Sequence, residues 1–228
     1  GFKRATAVFE DLMYQNLRQV GANTAEQAEL PTGLQVGLGV RTVATSRNFT
    51  QGSLQQSGNA LDLAVNGGGF FQVQMPDGTT GYTRDGSFQL DAQGRMVTSS
   101  GYPLTAGITL PAESQSITVS SDGVVTAKLP GNPVPQQVGN IELANFINSA
   151  GLEPLGQNLF AESLASGNPI TGAPGSAGLG TVMQGMVETS NVNVVQELVT
   201  MIQTQRAYEM NSKAIQTSDQ MLQRLSQL

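Results

Sequence analysis

The sequence predicts a mainly β fold with a long C-terminal α-helix (α+β). It is built from a small antiparallel β domain, an extended β hairpin and a terminal helix of the coiled-coil type. Two observations carry this prediction. Short apolar runs alternate with turn signals between residues 60 and 165, which is typical of antiparallel strands joined by tight turns. Residues 191–228 contain neither Gly nor Pro, which is typical of a long uninterrupted helix.

Residues 1–58 are predicted to be an extended segment or a hairpin. The apolar residues of the first twenty positions have helical spacing: Phe9, Leu12, Met13 and Leu17. Further along, Leu34, Val36, Leu38 and Val40 alternate with Gln and Gly, as in a strand with one apolar face. Because residues 33–53 are rich in Gly, Thr and Val, the whole range is assigned to an extended or hairpin segment that precedes the β domain.

Residues 59–165 are predicted to form the β domain and, from about residue 60, to fold by themselves. Three strand–turn–strand units have turns at 76–78, 91–94 and 121–123, where Asp and Gly favour a chain reversal. The predicted core takes the apolar residues of these strands: Leu63, Val65, Phe70, Phe71, Val73, Phe88, Leu90, Ile117 and Val119. Residues 166–187 are rich in Gly, Ser, Pro and Ala, so they are predicted to be a linker.

Residues 188–228 are predicted to form the terminal helix, with Ser190 and Asn191 as candidate N-caps. Its apolar residues recur at intervals of seven: Val194, Met201, Tyr208, Ile215 and Leu222. Such a helix packs either on its own β domain or, as in a coiled coil, on another helix. The length favours the second arrangement, because a small β domain cannot cover so long an apolar seam.

The composition excludes most kinds of catalysis. The 228 residues include no Cys and no His, so the chain has no thiolate nucleophile, imidazole base, disulfide or thiolate zinc site. The net charge is −6, and no part of the sequence forms the basic stripe that a nucleic-acid partner requires. The sequence therefore predicts a protein that is not an enzyme, with no cofactor, metal, nucleic acid or small-molecule ligand.

A few charged residues are candidates for catalysis or metal binding. Asp85 and Asp91 could be compared with the carboxylate pair of a glycosidase, but each precedes a Gly in a turn-like sequence, which favours a turn-forming role. Arg84, beside Asp85, is expected to make a structural ion pair or a turn contact. Asp77, Asp91 and Asp122 lack the clustered spacing of a calcium-binding loop.

Four regions of the chain carry the motifs of one known family. They are the opening GFKR (1–4), the pair DLAVNGGGFF (62–71) and YTRDGSF (82–88), the segment GLEPLGQN (151–158), and the tail from ETSNVNV to QRAYE (188–209). In this order they resemble the flagellar rod and hook protein family, over essentially the whole chain. Residues 9–21 are most similar to the members that form the distal rod, although Val20 stands where the family often has Pro.

The resemblance implies an axial structural protein. The subunit would be exported unfolded by the flagellar type III apparatus, without a cleaved signal peptide, and would polymerise in the periplasm into a hollow, rigid helical drive shaft. The shaft would transmit torque through the L and P ring proteins, with other rod proteins and the hook protein at its ends. The resemblance also implies that a helix carrying the rest of the N-terminal motif is missing from this chain.

Two subunit interfaces follow from the resemblance. In the inner tube of the shaft, the terminal helix would contact an N-terminal helix and neighbouring subunits through these residues: Val194, Leu198, Met201, Ile202, Tyr208, Ile215 and Leu222. A stiffening segment within residues 9–29 would pack between adjacent subunits and resist the sliding that lets a tube curve. Its contact residues are expected to be Phe9, Leu12, Met13, Tyr14 and Leu17.

An alternative class is a secreted β-rich adhesin or carbohydrate-binding module with a helical stalk. Such a protein would display a surface cluster of aromatic residues on its β domain. The chain has only 4 Tyr, 8 Phe and no Trp, and several Phe stand at core positions of the predicted strands. The sequence therefore favours the structural rod protein over the adhesin.

Overall fold

The computed structural model describes residues 1–18, 23–25, 28–29, 33–111, 113–131 and 134–225. Within these ranges the chain forms 21 strands, one short 3₁₀ turn and one α-helix. It divides into two units, Gly1–Ser190, which holds the strands, and Asn191–Leu228, which holds the helix. The predicted fold class, mainly antiparallel β with a long C-terminal helix, is confirmed.

The described residues between 5 and 47 form a long two-stranded ribbon, which we call the arm. Its strands pair antiparallel in nested order, β1 with β6, β2 with β5 and β3 with β4. They are β1 (Ala5–Asp11), β2 (Tyr14–Arg18), β3 (Asn23–Ala25), β4 (Ala28–Glu29), β5 (Leu34–Gly37) and β6 (Val40–Arg47). Of the two forms that the sequence left open for this region, the structure shows the hairpin. Residues 19–22 and 26–27 of the predicted stiffening segment, Val20 among them, lie outside the described residues.

The remaining strands build several antiparallel sheets. The first group is β7 (Leu54–Gln56), β8 (Leu63–Asn66), β9 (Phe70–Gln74), β10 (Thr80–Thr83), β11 (Phe88–Leu90), β12 (Met96–Thr98), β13 (Ser116–Val119) and β14 (Val124–Lys128). The second is β15 (Gln136–Asn140), β16 (Leu143–Asn145), β17 (Glu153–Gly156), β18 (Leu159–Ala161), β19 (Ile170–Gly172), β20 (Thr181–Gln184) and β21 (Met186–Glu188), with the 3₁₀ turn at Ser149–Gly151. The largest sheet has six strands in the order β17-β18-β10-β9-β16-β19.

Both faces of the six-stranded sheet are buried, because successive side chains of a strand point to opposite faces. Phe71, Leu143 and Leu159 belong to the larger core, which also includes residues of β8, β11, β12, β14 and β20. Phe70 and Phe160 belong to a smaller, mostly aromatic core on the other face. Cross-strand register keeps each set together, since Phe71 faces Leu143 and Tyr82 faces Phe160.

The predicted core is largely found, with one error. Seven of its members are buried: Leu63, Val65, Phe70, Phe71, Val73, Phe88 and Val119. Ile117 is partly buried against the larger core. The prediction for Leu90 was wrong, since its side chain is 41% exposed. Leu90 ends β11, and Asp91 begins the turn to β12, so only the first residue of that strand is buried.

The range 166–187 contains strands although the sequence predicts a linker there. β19 pairs with β16, β20 with β8, and β21 with β7. Leu179 and Val182 are buried in the larger core. The composition is dominated by the Gly, Ser and Pro of the turns around residues 172–180, and it conceals the short strand at Thr181–Gln184.

The helix α1 spans Val194–Leu225. Its N-cap is Asn193, whose side-chain Oδ1 accepts hydrogen bonds from the backbone N–H groups of Val195 (3.1 Å) and Gln196 (3.3 Å). The helix therefore begins two to three residues later than the candidate caps Ser190 and Asn191 indicate. Among the described residues, no helix is long and apolar enough to span a membrane.

Candidate assembly surfaces

The terminal helix exposes an apolar stripe to solvent. Every residue of the predicted helix interface is exposed: Val194, Leu198, Met201, Ile202, Tyr208, Ile215 and Leu222. Tyr208, the most exposed of them, is 76% accessible. Because a straight α-helix has 3.6 residues per turn, a stripe spaced by seven drifts by about 20° per heptad. The stripe therefore winds slowly around α1 and suits a partner that crosses it at a shallow angle.

Polar residues of α1 do not interrupt this surface as much as their type suggests. The hydroxyl of Thr204 donates to the backbone oxygen of Thr200 (2.8 Å), and the hydroxyl of Thr200 donates to that of Gln196 (2.9 Å). A threonine whose hydroxyl bonds the preceding turn presents mainly its methyl group to a neighbour. Thr204, which lies three residues after Met201 of the stripe, is thus compatible with apolar packing.

The arm carries the second exposed apolar surface. Phe9, Met13, Tyr14 and Leu17 of the predicted stiffening segment are more than half exposed, and Leu12 is half-buried. The strands β5 and β6, with the turn between them, add five further exposed large apolar residues: Leu34, Val36, Leu38, Val40 and Val43. The structure thus places the predicted residues on one ribbon and leaves most of their apolar surface uncovered.

The aromatic ring of Tyr14 packs against the opposite strand of the ribbon. Tyr14 is the register partner of Gly37, and a Cβ added to Gly37 would meet the Tyr14 ring at 3.3 Å. The ring lies across the glycine and covers backbone that no side chain of Gly37 can cover. A hydrogen bond to Asp11 and the negative charge of that carboxylate raise the pKa of the Tyr14 phenol.

The carboxylates considered for catalysis have structural roles. Asp91 accepts hydrogen bonds from the backbone N–H groups of Gln93 and Arg95 and pairs with the Arg95 side chain. Asp85 accepts from the backbone of Ser87 and from the side chain of Asn158. Both therefore form turns, as the sequence favours. Among the described residues, no group of three or more acidic side chains could hold a metal ion.

A buried ionic cluster lies at the root of the arm. Glu188 accepts from the ammonium of Lys3 (2.5 Å) and the backbone N–H of Gly52 (2.8 Å) through Oε1, and from the guanidinium of Arg84 (3.0 Å) through Oε2. The three side chains are at most 4% exposed. Arg84 also donates to the backbone oxygens of Gly67 (2.8 Å) and Gly69 (2.6 Å).

The sequence only partly indicates this cluster. A structural ion pair is expected for Arg84, but the partner is Glu188, 104 residues away, and the neighbouring Asp85 has other contacts. No local pattern points to Lys3 or Glu188 as its companions. A usable signal existed, since Lys3, Arg84 and Glu188 each lie in one of the motifs that carry the family resemblance.

The cluster shifts the pKa values of its members. Burial lowers the pKa of Lys3, although its hydrogen bond to Glu188 and the charge of that group act in the opposite direction. For Glu188, burial alone would raise the pKa. The hydrogen bonds from Lys3 and Gly52 and the charge of Arg84 outweigh burial, so the pKa of Glu188 is lowered.

The arm is also anchored by an aromatic contact. Phe49 follows β6 and packs edge-to-face on Phe70 and Phe160, with ring centroids 5.4 and 5.1 Å apart. The guanidinium of Arg47 lies 5.3 Å from the centroid of the Phe160 ring, within cation–π range. The root of the arm is therefore fixed to the smaller core as well as to the ionic cluster.

Comparison with known proteins places these features in a family. Residues 64–127 match the flagellar hook protein FlgE/F/G D1 domain, and residues 183–228 match the C-terminal region of the flagellar basal body rod FlgEFG proteins. The chain is 57% identical to the flagellar basal-body rod protein FlgG of Buchnera aphidicola subsp. Schizaphis graminum, over all of this chain and 88% of that protein. The chain belongs to the FlgG family of flagellar basal-body rod proteins.

A comparison within one organism distinguishes the FlgG family from the related FlgF proteins. Against Caulobacter vibrioides, the chain is 47% identical to FlgG, over 100% of this chain and 87% of that protein. It is 34% identical to FlgF of the same organism, over 90% of this chain and 77% of that protein. The predicted family and the prediction of a distal-rod structural subunit, not an enzyme, are confirmed. The chain is thus a component of the flagellar basal-body rod.

Proposed function

We propose that the chain polymerises with copies of itself into a hollow, rigid helical drive shaft. The observation that carries this proposal is the exposed apolar stripe of α1, which lies in the segment matched by the family's C-terminal region. Burial of such side chains contributes about 1.5–3 kcal/mol each. A helix that exposes seven of them is therefore stabilised when it packs against a neighbour. In a rod protein the neighbour available at the highest local concentration is another copy.

The other partners follow from the position of such a shaft. It transmits torque through the L and P ring proteins to the hook protein, and it joins other rod proteins at its inner end. Its subunits reach this place, which extends from the periplasm to the outer membrane, through the flagellar export apparatus and without a cleaved signal peptide. Family membership and the resemblance of the motifs at 1–4 and 188–209 support these assignments.

The arm supplies the stiffness of the shaft. An isolated two-stranded ribbon is at best marginally stable in water, and this one exposes large apolar residues on both of its paired chain segments, such as Phe9 and Val40. Packed between adjacent subunits, the stiffening segment of Phe9, Leu12, Met13, Tyr14 and Leu17 buries that surface. It also opposes the axial sliding by which a tube curves.

The test of polymerisation is the variant Ile215→Asp. Ile215 is 64% exposed in the subunit, so the change should leave the fold of the β unit intact. In the shaft it would bury an unpaired carboxylate, at a cost of at least about 3 kcal/mol per subunit. We expect no rods by electron microscopy and no motility when the variant replaces the native protein.

The matched control is Gln203→Asp. It introduces the same charge at an exposed position of α1 about 120° around the helix axis from Ile215, on the side opposite the stripe. Rods should form with this variant. Normal rods from Ile215→Asp subunits would refute the helix interface, and a loss of the β-unit fold in circular dichroism would show that the variant acts for another reason.

A further inference from the structure

The ionic cluster holds one positive charge more than it neutralises. Two cations, Lys3 and Arg84, share the single carboxylate that the described residues bring to the site, that of Glu188. Arg84 alone already pairs with Glu188 and bonds Gly67 and Gly69, so that pair is neutral and well coordinated without Lys3. A buried ammonium adds a desolvation cost to such a pair. Stability is therefore a poor explanation for Lys3.

The position of Lys3 suggests a different role. Its ammonium bonds the backbone oxygen of Thr50 (2.9 Å) as well as Glu188. It thereby ties three passes of the chain together: the incoming segment 1–4, the returning segment 48–53, and the outgoing segment 186–190. Backbone bonds join the same passes in pairs, from Asn48 N to Arg4 O (2.8 Å) and from Thr189 N to Ser53 O (2.9 Å).

A slipped register cannot reproduce these contacts. A shift by one residue presents Phe2 or Arg4 at the site, and a shift by two presents Gly1 or Ala5. Phe and Ala side chains have no hydrogen-bond donor, and Gly has no side chain. The planar guanidinium of Arg is larger than an ammonium and has a different shape. A buried polar group that is satisfied in only one alignment specifies that alignment, which is the best attested use of such groups.

We propose that Lys3 is a register lock. It fixes the incoming segment against the outgoing segment that leads into α1, at little or no gain in the stability of the β unit. The lock belongs to the folded subunit, so it holds whether or not the subunit polymerises. Its test therefore uses the isolated 228-residue chain and does not depend on rod assembly.

The decisive variant is Lys3→Met, which keeps an unbranched apolar stem and removes the charge. The thermal midpoint should rise or fall by less than about 3 °C, because a neutral Arg84–Glu188 pair remains. Hydrogen exchange should accelerate roughly tenfold or more at the amides of Asn48, Gly52 and Thr189, with the six-stranded sheet unchanged. The control is Lys128→Met, which replaces an exposed lysine at the end of β14. It should change neither the thermal midpoint nor hydrogen exchange at the three amides.

A second pair of variants tests the surplus positive charge through the direction in which each variant changes the thermal midpoint. Glu188→Gln leaves both cations uncompensated, so the midpoint should fall by roughly 10 °C. Lys3→Met in that background removes one of the two cations and should restore part of the loss. Three outcomes would overturn the proposal: a large fall in midpoint for Lys3→Met, unchanged exchange at the three amides, or a double variant less stable than Glu188→Gln.

Discussion

At the level of single residues, the root of the arm depends on how closely backbone segments approach. A Cβ added to Gly52 would lie 1.9 Å from the backbone oxygen of Thr189, much closer than any non-bonded pair can be. The N–H of Gly52 also donates to Glu188. The segment 48–53 can therefore lie against the outgoing segment only because residue 52 has no side chain.

We predict that Gly52→Ala destabilises the β unit. The methyl group must displace backbone that the Lys3–Glu188 cluster holds, so the free energy of unfolding should fall by about 2–3 kcal/mol. Gly68→Ala is the control, because its Cβ would meet its nearest neighbour, the Asn145 side chain, at an ordinary 3.5 Å. Urea unfolding of both variants is the measurement, and equal losses of stability would contradict the close approach as the cause.

At the level of elements, the arm and α1 share one property. Each is regular in its backbone bonding and exposes most of its apolar side chains. In the arm, the nested pairs leave the outer edges of a two-stranded ribbon without a third strand in the described residues. Such edges and such side chains are normally covered in a soluble protein, which supports the proposal that both elements pack against neighbouring subunits.

We predict that the apolar residues of the arm, and not its length, stiffen the shaft. Replacing Phe9, Met13 and Leu17 together by Ser keeps the ribbon and removes the packing surface, so assembled rods should curve. Interfaces switch between discrete arrangements, and deleting residues 11–28 should produce the same curvature. Electron microscopy of the rods is the measurement.

The control for this prediction is Gln15→Ser with Gln35→Ser, two exposed polar residues of β2 and β5. Rods of this double variant should stay straight. Straight rods of normal stiffness from the triple-serine variant and from the deletion would refute the role of the stiffening segment.

At the level of the whole molecule, the β unit closes through residues that are distant in sequence. β20 pairs with β8, and Leu179 and Val182 are buried in the larger core. Glu188 neutralises Arg84 from beyond residue 165. The segment between the predicted domain and α1 therefore belongs to the hydrophobic and ionic interior of the unit.

We predict that a fragment of residues 48–190 unfolds cooperatively and that a fragment of residues 60–165 does not. The shorter fragment loses β20, two core residues and Glu188, the carboxylate that pairs with Arg84 among the described residues, which leaves a buried cation unpaired. Thermal unfolding followed by circular dichroism is the measurement. A cooperative transition in the shorter fragment at a similar midpoint would support the boundary at residue 165 that the sequence favours.

The features that the sequence determined by itself are local or periodic. The seven-residue spacing from Val194 to Leu222, the turn at Asp91 and the order of the family motifs each depend on residues close together in the chain. They were sufficient for the fold class and the family. Tertiary structure decided the rest: the exposure of Leu90, the pairing of β20, and the meeting of Lys3 with Glu188, 185 residues away. The physical reason is that the burial and pairing of a side chain depend on which segments the fold brings together, and for Lys3, Arg84 and Glu188 no local pattern encodes that meeting.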